Sequence, residues 1–525
     1  MSHFAWRRFR ARMLTAVTAL LAVVALVITA GCSGSATAHT GQGAASPGAS
    51  TPAAPVPQTL AAYYQQKLTW RSCGGGFQCA RLLVPMNYQR PGWRYFSLPV
   101  IRLRASNQSQ RIGSLVLNPG GPGGSGIQYA QQARSILTPQ VLGRFDVVGF
   151  DPRGVGGSQP AVRCMTGPRL DQYTETNDVP ANPAQLGSVV SQSKFFASAC
   201  EKESGPLLPY VGTADAARDM DILRAVLGDA KLSYLGKSYG TFLGTWYANL
   251  FPRNIRALVL DGALDPHESA LQQNIIQGQG FETAFRSFAA NCMTMTTCPL
   301  GHGSNVGAGV AKLQALFNQT EQHPLTNALG DGRPANEALI SDGVVSALYS
   351  KQYWPLLRTA LTDAFAGDGT LLIELSDVLT ERKRNGTYSN LIESNMAIDC
   401  IDRPWPKSLS TWQSSATQAA QAAPQFGESI MWGSLPCAYW PVPATQAPVM
   451  RAAGAPPILV VGTTRDPATP YRWAQSLSSE LSSGVLLGWN GDGHTAYMMG
   501  SSCVDSAVDN YLINLAPPKS GTLCQ

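Results

Sequence analysis

The sequence predicts an α/β fold: a mostly parallel sheet flanked by helices, with an inserted, mainly helical cap. Three observations lead there. Short, continuously apolar and β-branched runs recur along the chain, the pattern of parallel strands buried on both faces. Helix-like segments follow several of these runs, and one strand-to-helix turn reads Gly-x-Ser-x-Gly. From about residue 265 to 443 the alternation breaks down into helical patterns and loops, then resumes.

Residues 82–85 and 95–103 read as opening antiparallel strands, and parallel strands follow at 114–118, 145–150, 232–235, 255–260, 457–462 and 485–489. An amphipathic helix is expected over 214–227 with Thr213 as N-cap, its spaced Ala, Met, Leu and Val suited to packing on a sheet. The length suits one large domain with an insertion: core over 59–264, cap over 265–443, and the rest of the core over 444–525.

The turn Gly236-Lys237-Ser238-Tyr239-Gly240 follows an apolar run and opens the helical segment 241–251. Such a turn lifts the serine hydroxyl clear of the sheet, and glycines let strand and helix approach closely. Ser238 is the candidate nucleophile; the bland reading is a Gly-rich turn. Of six histidines, His3 and His39 fall in N-terminal segments that form no core, and His302 and His323 sit in loop-like surroundings. His494 ends a strand and the Gly-rich stretch 490–493, which places it last among the reacting groups, as a base. The acid belongs between them. Asp466 follows the buried strand 457–462, at the C-terminal end where open α/β sheets gather functional groups. It would fix the imidazole tautomer and stabilise the imidazolium. Asp261 is the competing candidate, and Asp492 lies too close in sequence to His494.

An oxyanion hole is expected from 118–126, Asn-Pro-Gly-Gly-Pro-Gly-Gly-Ser-Gly, after another strand. The N–H of Gly120 or Gly121 would act with that of Tyr239. A phosphate loop is the rival, but the Lys-Ser/Thr ending and the dinucleotide spacing are missing.

These motifs carry a resemblance. Residues 118–126 are similar to the HGGPG-type loop of proline iminopeptidases, with Asn-Pro for His-Gly, and 150–158 resemble their DxRGxGxS segment. The stretches 236–240, 465–470 and 491–497 resemble the secreted tripeptidyl aminopeptidase-like serine hydrolases of actinobacteria, some of them envelope lipoproteins. The resemblance runs from about residue 60 to the C-terminus. It implies an α/β-hydrolase core with a lid-like insertion and a serine exopeptidase acting on a peptide or protein substrate, without a cofactor. An envelope carboxylesterase or lipase using the same residues is the alternative. A non-catalytic lipoprotein on the same scaffold is disfavoured by the ordered serine, acid and histidine.

The expected chemistry is acyl transfer in two steps. His494 takes the Ser238 proton, the amides hold the oxyanion, and His494 then protonates the leaving amine. The base works only when neutral, so kcat/KM falls in acid. An aminopeptidase also needs a negative group to hold the free α-ammonium. Glu393, Asp399 and Asp402, beside Cys400 in the cap, are the candidates; a solvated acidic loop is the bland reading.

The first residues set location. Arg7, Arg8, Arg10 and Arg12 precede an apolar run that ends at Thr29-Ala30-Gly31-Cys32, so 1–32 reads as an export signal with a lipobox-like end and Cys32 as the lipidation site. An ordinary secretory signal or a short uncleaved anchor is the alternative; a twin-arginine signal fits poorly. The product would sit on the outer face of the membrane, touching it only through the lipid, or be released. Residues 33–58 hold Ser, Gly, Ala, Thr and Pro without a charge, a flexible tether. Eleven cysteines leave ten once Cys32 is set aside. Their grouping suggests the pairs 73–79, 164–200, 292–298, 400–437 and 503–524 in an oxidising compartment. No metal-ligand spacing stands out, and no metal is expected. The net charge of +6 comes largely from the four signal arginines; the remainder has 35 basic and 33 acidic residues, which excludes a nucleic-acid footprint.

Overall fold

The computed structural model describes residues 56–525. Ten strands form one sheet: β1 (Arg71–Ser72), β2 (Phe77–Pro85), β3 (Tyr95–Leu103), β4 (Gly113–Asn118), β5 (Phe145–Phe150), β6 (Leu232–Lys237), β7 (Ile255–Asp261), β8 (Ile458–Arg465), β9 (Gly484–Asp492) and β10 (Thr522–Cys524). Their order is β1-β2-β3-β5-β4-β6-β7-β8-β9-β10. The first three strands pair antiparallel, as does β3 with β5, and every later pairing is parallel. This is the α/β-hydrolase architecture that the motifs imply, and each expected strand is present.

Side chains alternate between the two faces of the sheet. Val116, Val148, Tyr234, Leu258 and Val460 fill one buried cluster. Leu115, Val147, Leu235, Val259 and Leu459 fill the other. Helices cover both faces, which is why the central strands are apolar between a polar second residue (Ser114, Asp146, Ser233 and Arg256) and their C-terminal ends.

Four helices bear on the reactive groups. The helix α1 (Thr213–Val226) starts one residue earlier than expected, with Gly212 as N-cap. Thr213 does not cap it, because its hydroxyl is engaged by Asp402 and the Tyr239 phenol. The turn at Ser238 opens α2 (Tyr239–Leu250). Between β7 and β8 lies the helical insertion, where Phe285, Phe288, Leu313, Ile340, Val344 and Trp354 build a separate apolar cluster; α3 (Glu337–Leu348) belongs to it. The helix α4 (Leu391–Asp402) lies in the same stretch of sequence, yet Met396, Ala397, Ile398 and Ile401 pack into the sheet-side cluster. All five expected disulfides are present: 73–79, 164–200, 292–298, 400–437 and 503–524. Cys32, the expected lipidation site, lies outside the described residues.

Candidate active site

Strand register brings the reactive ends together. Asn118 pairs with Gly236, Lys237 with Asp261, and Asp261 with Val461. The segments after β4, β6, β8 and β9 therefore leave the sheet side by side, at its C-terminal edge.

Ser238 sits at φ 56°, ψ −126°, a conformation a non-glycine residue adopts only when its surroundings enforce it. They do. Ser238 N donates to Asp261 O at 2.9 Å, and Thr241 Oγ1 donates to Ser238 O at 2.6 Å. A Cβ on Gly236 would collide with Gly240 O, and one on Gly240 would lie 2.8 Å from Asn118 Oδ1. The flanking glycines thus let the strand and helix close on the serine. Ser238 is partly exposed between buried neighbours.

His494 and Asp466 are joined. Nδ1 of His494 lies 2.9 Å and 3.1 Å from the two carboxylate oxygens of Asp466. Asp466 also accepts from Ala468 N (3.0 Å), Thr469 N (2.8 Å) and Thr495 N (2.9 Å). An acid 1% exposed and met by four N–H groups is held in one orientation. The carboxylate can only accept, so the Nδ1 proton points to it and Nε2 is left as the basic nitrogen. Tyr349, from the helical insertion, packs edge-on to the imidazole at 5.4 Å, and its carbonyl accepts from His494 N at 2.7 Å. No hydrogen bond joins the Ser238 hydroxyl to His494 among the described residues; such contacts commonly tighten only when substrate is bound.

Asp261 has another task. It accepts from Ala496 N (2.8 Å) and Tyr497 N (3.1 Å) and lies 3.5 Å from Lys237 Nζ, fully buried. Lys237 itself donates to Tyr497 O at 2.8 Å and Thr495 Oγ1 at 3.2 Å. The pair ties β6 to the segment carrying His494. Sequence reasoning passed over Lys237, although it occupies the x position beside the serine.

The loop after β4 is pressed against Ser238: a Cβ on Gly120, at φ +97°, would lie 2.8 Å from Ser238 Cβ. Gly120 N–H is already committed to Asn118 Oδ1 at 2.9 Å. Of the two loop candidates, Gly121 keeps its amide available among the described residues, as does Tyr239, first residue of α2. Two further anchors hold this loop, Asp151 from the segment 150–158 and Asn395 from α4. Asp151 accepts from Ser125 Oγ (2.6 Å) and Ile127 N (3.2 Å), and Asn395 Nδ2 donates to Pro122 O at 3.0 Å.

The three acids of α4 differ. Glu393 accepts from Cys164 N (2.6 Å) and Met165 N (2.7 Å) and is 1% exposed, so it holds a loop beside the 164–200 disulfide. Asp402 is taken up by Thr213 N (2.9 Å) and the Thr213 hydroxyl. Asp399 is partly exposed, and its carboxylate has no hydrogen-bond partner among the described residues. Burial, against the pull of Arg403, pushes its carboxyl up to about 7. It lies one turn beyond Asn395 on the same face of α4.

One cluster among the described residues offers metal-type donors within 4.8 Å of one another: Asp265, His267 and Glu480. His267 Nδ1 is 2.5 Å from Glu480 Oε2, closer than the ~3 Å that separates two ligands on one zinc ion.

The profile of a family described as TAP-like protein matches residues 423–524, the stretch that carries Asp466 and His494. The chain is 37% identical over 471 residues to the serine protease Hip1 of Mycobacterium tuberculosis, covering 86% of this chain and 88% of that protein. It is 38% identical over 495 residues to carboxylesterase B of the same species, covering 91% and 92%. With the tripeptidyl aminopeptidase of Streptomyces coelicolor it shares 31% identity over 464 residues, covering 85% and 84%. The chain therefore belongs to the TAP-like family of serine hydrolases with the α/β-hydrolase fold.

Proposed function

We propose that this protein is an exported serine aminopeptidase that cleaves peptides near a free N-terminus through Ser238, His494 and Asp466. The observation that carries the proposal is the Asp466 carboxylate on His494 Nδ1, at the sheet edge where the strained Ser238 turn also ends. Nε2 of His494 takes the hydroxyl proton as Ser238 attacks the amide carbonyl. The N–H groups of Gly121 and Tyr239 receive the oxyanion, and His494 passes the proton to the leaving amine. Water then repeats the sequence on the acyl-enzyme. Asp399 takes the substrate α-ammonium in this scheme, since Glu393 and Asp402 are occupied by backbone amides.

Two relatives named as peptidases support amide cleavage, and the relative named carboxylesterase B favours ester cleavage as the second reading. Export through residues 1–32, with lipidation of Cys32, is supported by five disulfides, which persist in oxidising compartments. No helix among the described residues is long and apolar enough to cross a membrane. The test is mass spectrometry of products from peptides with free and acetylated N-termini, beside a neutral ester. Preferred cleavage of the free peptides near the N-terminus is expected. Ester turnover with no peptide products would replace the peptidase by the esterase.

A further inference from the structure

The turn that joins β2 to β3 stands where the described chain begins. A Cβ on Gly92 would lie 3.1 Å from Gln58 Oε1 and 3.2 Å from Gln58 O, and the Tyr63 hydroxyl donates to Pro91 O at 3.0 Å. The turn is closed by its own backbone: Met86 N donates to Arg94 O at 2.8 Å and Trp93 N to Arg90 O at 3.0 Å. It presents Trp93, which is 41% exposed. The indole meets Tyr210 edge-on at 5.8 Å, and the guanidinium carbons of Arg90 and Arg94 lie 5.0 Å and 5.2 Å from its ring centre. Both arginines are exposed, and neither is paired with a carboxylate among the described residues. The turn therefore offers an apolar plate with a cationic rim.

Beside this turn lies a groove of about 580 Å³, a size that admits a small ligand. Met86, Pro160, Pro206 and Leu207 give it an apolar lining, and Val56, the first described residue, stands in its wall. Arg94 and Arg163 are its two cations and Glu203 its one acid. Glu203 is already paired with Lys202 at 3.4 Å. The Arg163 side chain is 55% exposed and lies 3.9 Å from the Glu393 carboxylate, which the amides of Cys164 and Met165 hold. The groove and the indole share Arg94, so plate, rim and groove form one continuous surface.

We infer that this turn and groove dock the protein on a membrane that carries anionic phospholipids. Trp93 sits at the depth of the headgroups, Arg90, Arg94 and Arg163 meet lipid phosphates, and the groove takes an apolar part of one lipid. Three cations against one paired acid give the surface the sign that such a membrane attracts. The lipidation site expected at Cys32 stands 24 positions before Val56, a span of at most ~80 Å. A link of that reach holds the body near a bilayer without orienting it; the docking surface orients it. The contact is additional to the lipid, which the sequence implies as the sole one. Val100 of β3 pairs with Phe150, the last residue of β5, and the strand extends back to Tyr95, about 16 Å beyond that pair. The turn thus projects past the C-terminal edge of the sheet, where Ser238 stands, and docking brings that edge toward the lipid. The inference rests on the export reading for its membrane.

The experiment uses the chain from Ser33 to Gln525, which keeps every described residue and lacks the expected lipid. It is sedimented with vesicles of phosphatidylcholine, alone or mixed with phosphatidylglycerol. Binding is expected to the mixed vesicles only. An arginine at an anionic surface contributes ~5-fold, so Arg90→Gln combined with Arg94→Gln should lower the partition coefficient by ~25-fold, and Trp93→Ser should lower it by ~10-fold. Turnover of a soluble neutral ester and the unfolding temperature should stay as in wild type, because none of the three touches the reactive groups. No binding to either vesicle, or equal binding to both, overturns the surface. So does an equal loss on replacing Lys383 and Arg384, two exposed cations of the insertion, by glutamine. Self-association without lipid that Trp93→Ser abolishes would also overturn it, making the face a contact between copies of this chain. If Cys32→Ala leaves the full chain on the membrane of the producing cell as before, the lipid is removed from the export reading, and the vesicle result still decides the surface.

Discussion

The sheet core and the helical insertion treat their buried acids in opposite ways. In the core, Asp466 is met by three backbone amides and an imidazole, and Asp261 by two amides and Lys237. In the insertion, Asp342 has no partner and Glu337 keeps a buried oxygen unmet among the described residues. Chemistry needs groups fixed before substrate arrives, so the core satisfies each one and leaves no room for adjustment. The unmet acids of the insertion come at a cost in stability.

The largest effects are expected at the fixed groups of the core. Ser238→Ala is expected to lower kcat by about 10⁶-fold while leaving thermal stability nearly unchanged, since the hydroxyl supports nothing else. Asp466→Asn should cost ~10⁴-fold in kcat, because an amide NH₂ cannot accept the Nδ1 proton and the imidazole adopts the wrong tautomer. Steady-state kinetics with unfolding curves check both. Asp466→Asn activity within tenfold of wild type would mean that His494 is held without this acid.

A second, smaller effect probes the core alone. Arg153 is fully buried and bidentate on Asp219, with Nε donating at 2.8 Å and Nη2 lying 2.5 Å from the second oxygen. Arg153→Met strands the Asp219 charge and should cost about 3–5 kcal/mol of unfolding free energy. Denaturant titration measures it, and a cost below ~1 kcal/mol would show that the pair contributes little.

The two regions also differ in how legible they are in the sequence. Strands and reactive residues of the core are local signals: apolar runs mark β6 and β8, and the motif around Ser238 names its own turn. Sequence order ranks Asp466 above Asp261, which ends the neighbouring strand β7, but holds no sign that Asp261 anchors Ala496 and Tyr497. Asp399, Glu393 and Asp402 share one helix and one composition; only the partners that folding brings, Cys164 and Thr213, separate them. Asp342 and Asp178 lie 164 positions apart and offer no pattern at all. Long-range placement of single polar groups is what sequence periodicity does not encode.

Two carboxylates make the last and smallest test, because their pH dependence should run in opposite senses. Asp492 joins the regions: it accepts from core Arg465 (2.5 Å) and, in the insertion, from Ser287 (2.6 Å) and Lys351 (3.0 Å). Burial alone would raise its pKa, but these donors outweigh it and hold the carboxyl at about 2. Its contribution to stability is present above the ordinary carboxyl value of ~4 and is lost as pH falls through about 2. Asp342 behaves the other way. Burial, then Asp178, raise it to about 8, so the folded state is favoured while the acid is protonated and loses that advantage as pH climbs from ~4 through about 8. Asp492→Asn should therefore lower the unfolding temperature at pH 7 and match wild type near pH 2. Asp342→Asn should match wild type near pH 4 and exceed it above pH 8, by on the order of 1 kcal/mol after solvent screening. Unfolding scans across pH check both curves. If Asp342→Asn destabilises at alkaline pH, the acid has a stabilising partner when ionised, and the contrast between a satisfied core and an unsatisfied insertion fails at the residue where it is strongest.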